Sequence, residues 1–153
     1  MLTPLLIGSV MILVNLVIQV IGVTWLIRFF MNRAGSGQFA PSFGNDFRIL
    51  ALVVAVITLG HYLQFTTWAT LFVLLGEFQD FSTAFYHSTV NFTSLGYGDI
   101  VMSERWRLLG GLEAANGVIM FGLSAGTVLS TMSILFGRHQ KFSELKNNMH
   151  NTD

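Results

Sequence analysis

The chain contains no cysteine, which excludes disulfides and thiolate metal sites and leaves the compartment open. Charge is nearly as scarce. Only 10% of the 153 residues are Asp, Glu, Lys or Arg, against about 25% in an ordinary soluble domain. The 8 basic and 8 acidic side chains cancel, so no nucleic-acid partner is indicated. The opening "MLTPLLIG" has no basic side chain and lacks the form of a cleavable signal. No phosphate loop, nucleophile–base pairing or metal-ligand cluster stands out, so neither an enzyme nor a cofactor is expected. Internal repeats and low-complexity tracts are missing too.

What the chain has instead is apolar length: 52% hydrophobic residues and a mean hydropathy of +0.61. Three segments, expected as helices over 4–31, 48–76 and 107–137, each exceed the ~20 residues that cross a hydrocarbon core of ~30 Å. The first has no charge before Arg28, the second has no charged residue after Arg48 though His61 sits near its middle, and the third carries one carboxylate, Glu113. The expected fold is an all-α membrane protein, one domain over 1–153, with three transmembrane helices. Basic residues set its orientation. Arg28, Arg33 and Arg48 flank the linker 32–47, and Arg138, Lys141 and Lys146 follow the third span in a tail over 138–153. That end is expected to be cytoplasmic, with the N-terminus outside and the C-terminus inside.

About thirty residues separate the second and third spans. Asp80 or Ser82 can cap a helix, and "FSTAFYHSTVNF" fits a re-entrant helix over 80–92. Its three turns, roughly 18 Å, enter the membrane without leaving it. The chain must then return through "TSLGYGD", residues 93–99. Irregular backbone at membrane depth is tolerated only when buried in protein or lining a water-filled cavity, and Gly96 and Gly98 supply the freedom it needs.

"TSLGYGD" resembles the selectivity filter of the potassium channel superfamily, usually T-T-V-G-Y-G-D. Thr93, Gly96, Tyr97, Gly98 and Asp99 match; Ser94 and Leu95 stand where threonine and valine are usual. The context is similar as well, with a half-crossing helix before the loop and Trp106 at the top of the next span. The resemblance covers residues 49–137 and leaves the first span outside. It implies a potassium-channel-like pore in a homotetramer, with K+ held by the carbonyls of Ser94, Leu95, Gly96 and Tyr97. Identical chains close by rotation, and the C-terminal end of each half-helix would favour a cation in the cavity. Asp99 would bond behind the filter, with Tyr86 and His87 in place of the family's aromatic pair. Gly117 falls at the family's hinge. A bacterial inner membrane is the expected location, with lipid as the surroundings.

Other residues admit two readings. Glu113, about 10 Å into the membrane, is either a strut behind the filter or a hydrogen-bonded tie between helices. Gly117 serves as a hinge or as a packing position. His61 with Gln64 and Trp68 forms a polar-aromatic stripe of the kind that links helices, and a pH-sensing role competes with that. Gly8, Asn15, Gln19 and Gly22 share one face of the first span, which predicts packing on other helices. Val118, Phe121, Ala125 and Leu129 form the expected cavity lining. The leading function is a passive potassium-selective channel. A weakly selective cation channel and a non-conducting scaffold or accessory subunit are the alternatives.

Overall fold

A computed structural model describes residues 1–34 and 42–150, with helices α1 (Leu2–Ala34), α2 (Phe43–Leu74), α3 (Phe81–Phe92) and α4 (Arg107–His150). Among the described residues there is no strand. Three helices are long and apolar enough to cross a membrane, while α3 is only 12 residues long. The protein is a multi-pass membrane protein. Much of the linker, and the last three residues, lie outside the described residues, as do the side chains of Arg33, Lys141 and Lys146.

Two boundaries differ from expectation by more than three residues. α2 begins at Phe43 rather than 48, because Ser42 caps it, accepting from the Asn45 backbone N–H at 3.3 Å, and Asp46 sits in the first turn. A carboxylate there favours the positive end of the helix. α4 does not stop at 137 but continues to His150. Beyond Gly137 the sequence offers no Gly or Pro, and Lys, Glu, Leu, Gln and Met propagate a helix readily.

α1 lies against α2 and α4 but not α3, and α3 is held between α2 and α4. Residue pairings give the directions. Gly22 abuts Val56, Gln64 donates to Gln19 and Thr67 donates to Asn15, so α1 and α2 are antiparallel. Gln19 donates to Ser124 while Gly8 abuts Leu112, so α1 and α4 are parallel. Phe65, Trp68, Ala69 and Phe72 of α2, Ala84 and Phe92 of α3, and Leu109 and Met120 of α4 form the main buried cluster. That cluster surrounds α3 and anchors the half-crossing helix.

Polar side chains bond across the spans. His61 pairs with Gln64 at 2.9 Å and with Ser124 at 3.1 Å; Gln19 bonds Ser124 and Gln64, closing a ring over three helices. Such bonds are a main source of helix adhesion where lipid replaces water. At the far end, His139 meets Asp46 and ties α4 to the start of α2.

Candidate functional site

The loop after α3 begins as a helix cap. Leu95 N–H donates to the Val90 carbonyl and Ser94 N–H to the Asn91 carbonyl, with Ser94 at φ +57°. This pair of bonds around a left-handed residue is the Schellman arrangement, in which glycine usually takes the left-handed place. The end of α2 has it with Gly76 at φ +72°. In the loop a serine takes that place, and a left-handed side-chain-bearing residue costs on the order of 1–3 kcal/mol. The backbone then continues without regular structure through Tyr97, with Gly96 at φ +60° and Gly98 at φ +73°. Positive φ thus recurs at every second residue, 94, 96 and 98.

Thr93 to Asp99 are all exposed in the single chain, with Leu95 at 54% and Tyr97 at 67%. Their backs are held by α3. Tyr86 donates its hydroxyl to Asp99 at 2.7 Å. His87 is buried against Phe72 and Phe78 and hydrogen-bonds to the Ile100 backbone. Its Nε2 accepts from the Asn91 amide at 2.7 Å, and Asn91 lies beside Glu113. Tyr86 and His87 therefore both touch the segment that returns the chain to the surface.

Glu113 is fully buried on α4. Its Oε1 lies 2.5 Å from the Ser88 hydroxyl, which also sits 3.0 Å from the Phe65 carbonyl. One hydroxyl hydrogen faces two acceptors there. Glu113 thereby joins α4 to the middle of α3 and, through Ser88, to α2. His61 does not reach it; the ring contacts Gln64, Ser124 and the faces of Phe65, Phe92 and Phe121. Among the described residues no acidic group bonds His61, and the hydrogen-bonded ring reading accounts for its position.

Gly117 packs against the end of α3. A Cβ there would collide with the carbonyl oxygen of Phe92 and come within 2.7 Å of its carbon. α4 passes through Gly117 without a break. Gly110 likewise makes room for the Asn91 amide, 3.1 Å from where its Cβ would lie. Val118, Phe121, Ala125 and Leu129 are exposed in the single chain, though Phe121 also touches Phe92.

At the outer end, Asp80 caps α3, accepting from the Thr83 N–H at 2.8 Å. That backbone bond holds its carboxyl below the ordinary value. Glu77 accepts from both the backbone and the hydroxyl of Ser103, strapping the turn before α3 to the segment after the loop. The pairings of Asn91 and of Glu77 with Ser103 are new to the structure. Glu77 and Ser103 stand too far apart in sequence for a periodic pattern to show, whereas Asn91 and His87 lie one helical turn apart.

Comparison with known proteins agrees with the resemblance read from the loop. Residues 61–133 match a family model described as "Ion channel". This segment, from the middle of α2 through most of α4, is similar to that family's domain, and α1 lies outside the match. No curated protein and no solved structure matches the chain.

Proposed function

We propose that residues 61–133 form, in a homotetramer, a passive potassium-selective pore whose filter is the loop Thr93–Asp99. The observation that carries this reading is the positive φ at Ser94, Gly96 and Gly98, alternating with Leu95 and Tyr97. In an ordinary strand successive groups point to opposite sides. Alternating the hand of the backbone turns successive carbonyls toward one side, so Ser94, Leu95, Gly96 and Tyr97 form a column of oxygens. A column from one chain leaves an ion mostly hydrated. Four columns about an axis replace its water shell, and rotational closure of identical chains supplies four.

The surroundings support the same reading. Leu95 and Tyr97 are exposed in the single chain, and neighbouring copies would cover them. The C-terminal end of α3 points at the base of the loop, where its partial negative charge stabilises a cation. Glu77, Asp80 and Asp99 gather negative charge at the outer mouth and raise the local cation concentration. Val118, Phe121, Ala125 and Leu129 would line the cavity below, and Tyr86, His87 and Glu113 would support the filter from behind. The N-terminus would lie outside and the C-terminus in the cytoplasm of a bacterial inner membrane.

A weakly selective cation pore is the second reading, and Ser94 and Leu95 favour it, since they alter packing where threonine and valine are usual. Planar-bilayer currents under opposed potassium and sodium solutions separate the two. Reversal near the potassium equilibrium potential is expected. Reversal near zero selects the weakly selective pore, and silence of a verified tetramer refutes conduction.

A further inference from the structure

Behind the proposed filter, Glu113 belongs to a cluster of buried polar side chains whose other members the proposed pore does not use. Leu109, Glu113, Asn116 and Met120 form one fully buried stripe of α4. Trp68 of α2 packs in the same cluster as Leu109 and Met120, the residues that bracket Asn116. α1 approaches from the other side. It runs in step with α4 between the Gly8–Leu112 and Gln19–Ser124 contacts, so the levels of Asn15 and Asn116 along the bundle differ by about one helical turn, a rise of ~5 Å. Asn15 is fixed to α2 beside Trp68, accepting from Thr67 through Oδ1 at 2.9 Å and from Gln64 through its carbonyl at 3.2 Å.

Asn15, Trp68, Glu113 and Asn116 are all fully buried, and each leaves hydrogen-bonding capacity without a protein partner. The atoms are Asn15 Nδ2, Trp68 Nε1, Glu113 Oε2, and both Nδ2 and Oδ1 of Asn116. Three of them donate and two accept. Orphans of this kind are rare in native interiors and are costly in a low dielectric. Their mixture also constrains what can satisfy them. A metal cation repels the indole and amide N–H groups, and an anion repels a carboxylate. Water donates and accepts at once, and buried waters typically make about three hydrogen bonds to such groups.

We propose that Asn15, Trp68, Glu113 and Asn116 enclose a buried hydration site at the junction of α1, α2 and α4. Water there hydrogen-bonds the first helix to the side chain that also bonds Ser88 of the half-crossing helix. α1, which lies outside the ion-channel match, thereby becomes part of the support of the loop.

The test reads water at the Trp68 indole and does not depend on conduction, so its failure is distinct from failure of the pore assignment. The full chain is reconstituted in lipid bilayers with 15N-labelled tryptophan, and magnetisation transfer from water to each indole N–H is followed by solid-state NMR. Trp68→Phe assigns the resonance, leaving Trp25 and Trp106. Transfer to Trp68 despite its complete burial is expected, with its loss in Asn116→Leu and its retention in Asn116→Ser, which keeps the site polar and roomy. Asn15→Leu is expected to weaken it while leaving the contacts of Glu113 with Ser88 and Asn91 in place. No transfer to Trp68 in the unaltered chain, under conditions where Trp106 receives it, overturns the proposal. Unchanged transfer in folded Asn116→Leu overturns it too, and the unaltered chain with Asn116→Ser decides the matter if the leucine variant does not fold.

Discussion

Gly117→Ala separates two accounts of α4 by the sign of its effect. In an open helix the change adds a helix-favouring methyl and stabilises by up to about 1 kcal/mol. In this structure the methyl carbon lands on the Phe92 carbonyl, 2.7 Å from the carbonyl carbon and 3.0 Å from Phe92 Cδ1. Ordinary contact begins near 3.4 Å, so α4 and the end of α3 must part by most of an ångström or more. Both partners are backbone or a fully buried ring, and neither swings aside. Overpacking of this kind costs roughly 1–3 kcal/mol, occasionally more. The net expectation is a loss of about 1–2 kcal/mol, or roughly 2–8 °C in unfolding temperature at this chain length. Unfolding in detergent, followed by circular dichroism, measures it, with Gly60→Ala as control because nothing lies within 4 Å of a Cβ there. Equal stabilisation of both variants would refute the packing account. It would leave the hinge as the use of Gly117.

Glu113→Gln should fold and conduct, because an amide can still bond Ser88, whereas Glu113→Leu removes that bond, leaving Ser88 the Phe65 carbonyl, and should cost about 0.5–1.5 kcal/mol of stability; thermal unfolding and current amplitude report both. Tyr86→Phe removes the hydroxyl that holds Asp99 at 2.7 Å and should speed the decay of potassium currents while leaving the unfolding temperature nearly unchanged. A decay identical to that of the unaltered chain would mean the bond does not steady the loop. Asp80 supplies pH dependence of known sign: its carboxyl is held low by the Thr83 N–H, so its contribution is present above the ordinary value of 3.8 and lost as pH falls through the lowered folded value. Asp80→Asn keeps a capping oxygen and should flatten that part of the stability–pH curve, which unfolding scans between pH 2 and 6 would show.

The spans were legible because hydrocarbon tolerates so few charges: Arg28, His61 and Glu113 punctuate long apolar runs, and nothing else can fill thirty ångströms of lipid. The half-crossing helix followed from arithmetic, since twelve residues cannot traverse the membrane. The loop followed from its glycines and its resemblance. Ser94 as the left-handed residue of a helix cap was not legible, because glycine ordinarily occupies that place and a serine carries no such signal. The start of α2 read as linker because the stretch before Arg48 bears Gly, Ser and Pro, yet Ser42 and Asp46 there are a cap and a first-turn carboxylate. Asn91 and Asn116 passed as ordinary polar residues. Asn91 bonds His87 one turn back on its own helix, and only packing brings α1, α2 and α4 together near Asn116. The two uses of Gly117 could not be told apart without the position of the Phe92 carbonyl.

The proposed pore is tested most directly by a high-resolution density map of the assembled particle in lipid with abundant potassium. Four-fold symmetry is predicted, with ion density on the axis at the levels of the Ser94, Leu95, Gly96 and Tyr97 carbonyls. A monomeric particle, or carbonyls turned away from an empty axis, would contradict it.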